Sequence, residues 1–136
     1  MSFYKTLNAT VYGLLGLATL ALGVLGMLAP TGWLPGIAAE AGTEERHLTQ
    51  EFGSALVFVG LMTFWCAFNL ERSRTVHYLL MAFFALLSLV HWLDYGRDTR
   101  PLASALFNTL PFLLLAVVAW INHVHRQRES QLRVGG

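Results

Sequence analysis

The sequence predicts an all-α fold, a four-helix transmembrane bundle with antiparallel neighbours, and three observations carry that expectation. Four stretches are apolar over a length that crosses a bilayer, charged residues are scarce, and the basic ones gather at alternate ends of the stretches. Of the 136 residues, 55% are hydrophobic and only 12% charged. The mean hydropathy is +0.53. Soluble domains carry roughly 25% charged residues. A chain with half that share has too little polar surface to cover itself in water, which leaves lipid as its solvent. The length suits one membrane domain over residues 1–136.

A hydrocarbon core of ~30 Å needs about 20 apolar residues per helix. The first span is predicted over about 4–28, the second over 50–70, the third over 75–95 and the fourth over 102–122. The run from Val11 to Ala29 is longer than the ~7–15 residues of a secretory signal's apolar region, so it is expected to remain as a helix of the mature protein. The short gaps after the second and third spans force antiparallel neighbours. The only long connection covers 29–49, and the basic, polar tail of 123–136 is expected to be a frayed helix end.

Direction follows from Lys and Arg. One side receives Lys5, Arg72, Arg74, Arg126, Arg128 and Arg133, and the other Arg46, Arg97 and Arg100. The imbalance predicts both termini in the cytoplasm. The long loop, with Glu40, Glu44 and Glu45, then lies outside. Trp33, Trp92, Tyr95 and Trp120 fall near the predicted interfaces, where amphipathic rings belong. The expected location is a membrane that the chain crosses four times.

Small residues mark where helices can approach, because lipid supplies no hydrophobic drive between them. The first span carries Ala9, Gly13, Gly16 and Gly23 along one stripe, and the second Gly53, Gly60 and Ala67. Pro111 falls inside the fourth span, where it removes a backbone hydrogen bond and is expected to kink the helix.

Ionisable groups within a membrane need a reason to be there. His47 and Glu51 are four apart at the start of the second span, and His91 and Asp94 are three apart at the end of the third. Both spacings put the pair on one helix face. His91 lies roughly 9 Å beyond its span's midpoint at ~1.5 Å per residue. Imidazole and carboxylate are ligands for Zn²⁺, Fe²⁺ or Mn²⁺, so the four residues form one candidate outward-facing site for a divalent metal or small ligand. The competing expectation is a structural polar network in which Asp94 bonds His91 or Arg97 and Glu51 pairs with Arg46 or caps the helix. A proton path would also need ionisable groups deeper in the spans. Thr63, Ser88, Asn108 and Thr109 are polar without being ionisable.

On the other side, His77 opens the third span and His123 ends the fourth, with His125 beside it. Two histidines on adjacent helices are the axial set of haem b. The alternative is interfacial imidazole beside basic anchors. Asn108, near Pro111, is expected either to bond across helices or to line a cavity. Cys66 is alone, which excludes an intrachain disulfide and a CxxC redox pair. No nucleotide fingerprint or phosphate-binding loop is present, and a net charge of +1 implies no nucleic-acid partner.

The stretch His47-Leu48-Thr49-Gln50-Glu51-Phe52-Gly53-Ser54-Ala55 resembles an H-x-x-x-[DE]-x-G-x-A opening, and His91-Trp92-Leu93-Asp94 resembles an H-x-x-D ending. Both are similar to small bacterial four-span membrane proteins of the DoxX-like kind, over about residues 5–122. The resemblance implies a four-helix bundle with His47, Glu51, His91 and Asp94 in one outward site. It brings no reaction with it. The residues point to three roles: a membrane protein with that ligand site, an accessory subunit packed against a larger membrane complex, or a haem-binding electron-transfer protein or small transporter, with other membrane subunits or further copies of the chain as expected partners.

Overall fold

The computed structural model describes residues 3–29, 42–69 and 74–134. Four helices account for nearly all of them: α1 (Phe3–Leu28), α2 (Thr43–Asn69), α3 (Arg74–Gly96) and α4 (Leu102–Val134). All four are long and apolar enough to cross a membrane. The fold is all-α, and the protein is a small integral membrane protein. Trp33, Glu40 and Arg72, and most of the connection between the first two spans, lie outside the described residues, as does the side chain of Arg133.

Two helices run further than the apolar stretches that announce them. α2 begins at Thr43 rather than near Gln50. Its first turn holds Glu44 and Glu45, whose charges suit the positive end of a helix. The Glu45 carboxylate also reaches back to accept the Gly42 N–H at 3.1 Å, half of a capping box. α4 continues to Val134, twelve residues past the predicted end of its span. Gln and Arg are good helix formers in water as in lipid, so hydropathy ends where the helix does not. The helix also runs unbroken through Pro111.

The chain divides into two compact units, and α1 contributes to both. Tyr12–Asn69 forms one of them, a helical hairpin. Its two arms are antiparallel and meet through glycine. A Cβ on Gly16 would stand 2.6 Å from the Phe64 nitrogen, and one on Gly60 2.6 Å from the Leu20 nitrogen. On Gly23 it would stand 2.5 Å from the Val57 nitrogen, and on Gly53 2.8 Å from the Gly23 carbonyl oxygen. Real Cβ atoms do not come that close. Gly26, outside the stripe expected from the sequence, belongs to the same seam, since a Cβ there would stand 3.2 Å from the Gly53 Cα. Gly13 does not belong to it, since its added Cβ would meet nothing within 4 Å. Tyr12, Thr63 and Cys66 are fully buried in this unit. Thr63 donates to the Val59 carbonyl at 2.7 Å, which satisfies its hydroxyl within its own helix.

The other unit comprises Met1–Val11 with Leu70–Gly136. α3 and α4 lie antiparallel, and Leu80 and Phe84 on α3 and Ala105, Leu115 and Val118 on α4 are buried. The first turns of α1 join them through an amide pair. Asn8 donates to Asn122 at 2.9 Å and Asn122 donates back at 3.1 Å. The second hydrogen of the Asn122 amide goes to the Val118 carbonyl at 2.8 Å.

Large apolar side chains, among them Leu14, Phe58, Phe68, Leu86, Phe107 and Trp120, stand exposed. In water such a surface would be a liability. Against acyl chains it costs nothing, because lipid is as apolar as the side chains themselves.

Candidate functional site

Polar side chains along α3 and α4 form two clusters. In the first, the Thr109 hydroxyl is the hub. It donates to the Ala105 carbonyl at 2.8 Å, one turn back on α4. A threonine hydroxyl has one hydrogen and two lone pairs. With the hydrogen committed, the 2.7 Å contact to Ser88 makes Ser88 the donor. The Trp92 indole N–H fills the remaining lone pair at 2.9 Å. Thr109 is thereby saturated, and α3 is tied to α4 at two points one turn apart. Trp92, expected as an interfacial ring, thus also has a fixed partner for its polar atom.

The second cluster lies closer to the loop between the two helices. The Ser104 hydroxyl and His91 Nδ1 are 3.2 Å apart, both half-buried. The Ser104 carbonyl in turn accepts from the Asn108 amide at 2.9 Å. This Asn108 bond therefore stays on its own helix, while Ser104 reaches across to α3.

Asp94 shapes the end of α3 through its backbone. Its carbonyl accepts the Thr99 N–H at 3.0 Å, while the Asp98 N–H reaches the Tyr95 carbonyl at 3.0 Å. This is the paired bonding of a Schellman motif. Asp98 stands at the position that turns left-handed, with φ of 55°. The Thr99 hydroxyl also donates to the Asp94 carbonyl at 2.9 Å.

His47 and Glu51 do meet. Nε2 of the imidazole lies 3.1 Å from the carboxylate, with side-chain exposures of 70% and 62%. The pair belongs to the hairpin unit, whereas His91 and Asp94 belong to the other. No group of three or more His, Cys, Asp or Glu side chains placed to hold a metal occurs among the described residues.

No family model, curated protein or solved structure matches the chain.

At the opposite end of the α3–α4 unit, His77 is buried beside Tyr78, with ring centroids 5.2 Å apart. His123 is exposed and shares a 2.9 Å contact with Gln127. Its neighbour His125 packs on the Tyr4 ring at 3.9 Å between centroids. The two named histidines therefore differ in setting, one buried within the unit and the other on the polar surface of α4.

Sequence reasoning missed Asn8, Asn122 and Ser104. Ser104 stands among apolar neighbours, whereas Asn8 lies between Thr6 and Thr10 and Asn122 precedes His123, so each passed as an ordinary polar residue of a span or its end. Sequence reasoning lacked the register that sets one polar residue opposite another.

Proposed function

We propose that this chain is an accessory membrane subunit without a catalytic centre of its own. The observation that carries the reading is the polar seam of α3 and α4. Ser88, Trp92, Thr109, His91 and Ser104 are engaged in holding the two helices in register. Polar groups used in this way give a helix pair a defined geometry, which suits a part that others pack against. The DoxX-like resemblance fits the same role, since proteins of that kind include subunits that work beside other chains. The basic residues at one set of ends favour both termini in the cytoplasm, and we place the protein in a bacterial inner membrane on the same resemblance. Extraction of native membranes in a mild detergent, followed by mass spectrometry of whatever co-purifies, tests the proposal. A reproducible, stoichiometric partner chain is the expected result. A solitary monomer across several detergents would defeat it.

A second reading attaches to His47 and Glu51. Their exposed imidazole and carboxylate, already 3.1 Å apart, offer two ligands of the right type to an external divalent ion. Elemental analysis after dialysis against Zn²⁺ decides this reading. Stoichiometric metal that vanishes in His47→Ala supports it, and metal at background level removes it.

A further inference from the structure

One end of the α3–α4 unit gathers basic and aromatic side chains from three helices. Tyr4 and Lys5 come from the first turn of α1 and His77 from the first turn of α3. His125 and Arg126 come from the point where the apolar part of α4 gives way to its polar extension. The Tyr4 and His125 rings lie against each other at 3.9 Å, tilted by 43°. The Lys5 ammonium stands 6.0 Å from the Tyr4 ring centre. Arg126 follows His125 directly on α4. One turn deeper, the Asn8–Asn122 pair holds α1 to α4 and so fixes the spacing of the residues above it. Arg74 opens α3 and Arg128 follows on α4, while the first turns of α1 and α3 carry no acidic residue.

The depth of this cluster matters as much as its charge. Apolar spans begin at Tyr4 and Arg74 and end at Arg128, so the cluster sits where headgroups lie. Just below it, Tyr78, Leu79 and Trp120 are more than half exposed, a surface that acyl chains cover. We propose that this end of the unit binds the phosphate of an acidic phospholipid. Lys5 and Arg126 engage the phosphate oxygens, and the tilted Tyr4–His125 ring pair sits beside the glycerol. A guanidinium matches phosphate through paired N–H donors and an ammonium through point charge. Aromatic rings favour that depth. A free phosphate ion would use the cations and leave the apolar surface below without purpose, which is why lipid is the assigned source. The inference is independent of the accessory-subunit reading.

Native mass spectrometry of the delipidated full chain, returned to vesicles of phosphatidylglycerol or phosphatidylcholine, tests the site. The expected result is preferential retention of phosphatidylglycerol, weakened about five-fold for each charge removed in Lys5→Gln and Arg126→Gln. Arg126→Lys, which keeps the charge and loses the fork, should retain a reduced preference. Arg100→Gln, at the other end of the unit, should change nothing. Helical circular dichroism verifies that each variant is folded. Equal retention of the two lipids overturns the proposal. So does an undiminished preference in the folded Lys5→Gln/Arg126→Gln double variant. Thermal stabilisation by inorganic phosphate equal to that by the acidic lipid would make it a free-ion site and would also overturn the proposal.

Discussion

The two units hold helices together by opposite means. In the hairpin of Tyr12–Asn69, the arms meet backbone to backbone, and the seam is made of side chains that are not there. In the α3–α4 unit the helices are joined by hydrogen bonds between side chains. A membrane explains why both devices exist. Lipid removes the hydrophobic drive that would press helices together in water, so close packing and polar bonds must take its place. The first tolerates no added atom. The second tolerates changes of shape but not the loss of a partner.

The sharpest way to break the comparison is to add a methyl group to each kind of glycine. Gly23→Ala puts a carbon 2.5 Å from the Val57 nitrogen, so the arms must separate. A loss of about 2–3 kcal/mol is expected from such overpacking, read as a lowered unfolding midpoint in detergent. Gly13→Ala meets nothing within 4 Å and should stabilise the helix by up to about 1 kcal/mol. If both variants unfold alike, the glycine seam is not what holds the hairpin.

Removing the hub of the polar seam should come next in size. Thr109→Val keeps the shape but leaves the Ser88 hydroxyl and the Trp92 indole without their acceptor. About 1–2 kcal/mol of stability should be lost, and tryptophan fluorescence should report a change around the ring. An unchanged midpoint would mean that both donors find other acceptors in the micelle.

The Asn8–Asn122 pair allows a finer test through a double-mutant cycle with leucine. Each single change strands one amide, and the double change strands none. A coupling energy of about 1 kcal/mol is expected, and strict additivity would deny the pair an energetic role. Asp98→Gly relieves a left-handed residue with φ of 55° and should raise stability by up to about 1 kcal/mol. Smallest of all, Glu51→Gln disturbs a pair that is mostly in solvent, and less than about 0.5 kcal/mol should change.

The spans themselves were legible because the requirement is crude: about 20 apolar residues, whatever their order. Their ends were not. Hydropathy marks where lipid stops, while Glu45 on Gly42 decides where α2 starts, seven residues before the apolar run. The glycine seam was legible in outline from Gly16, Gly23, Gly53 and Gly60. Gly13 was drawn in by spacing alone, which cannot say which flank of the stripe meets the partner. The polar chemistry was hardest to foresee. Spacing within one helix finds pairs such as His47 and Glu51, yet His91 found its partner in Ser104, thirteen residues on and across a turn. That pairing depends on how α3 and α4 slide past each other, which no count along one helix reveals.

The saturation of Thr109 has a consequence for conduction. A chain of hydroxyls carries protons only if every O–H bond can swing round to face the other way. Here the hydrogens run in one sense, from Ser88 to Thr109 and from Thr109 to the Ala105 carbonyl. The last stop is an amide oxygen, which has no hydrogen to pass onward. In this arrangement the row works as a latch between the two helices.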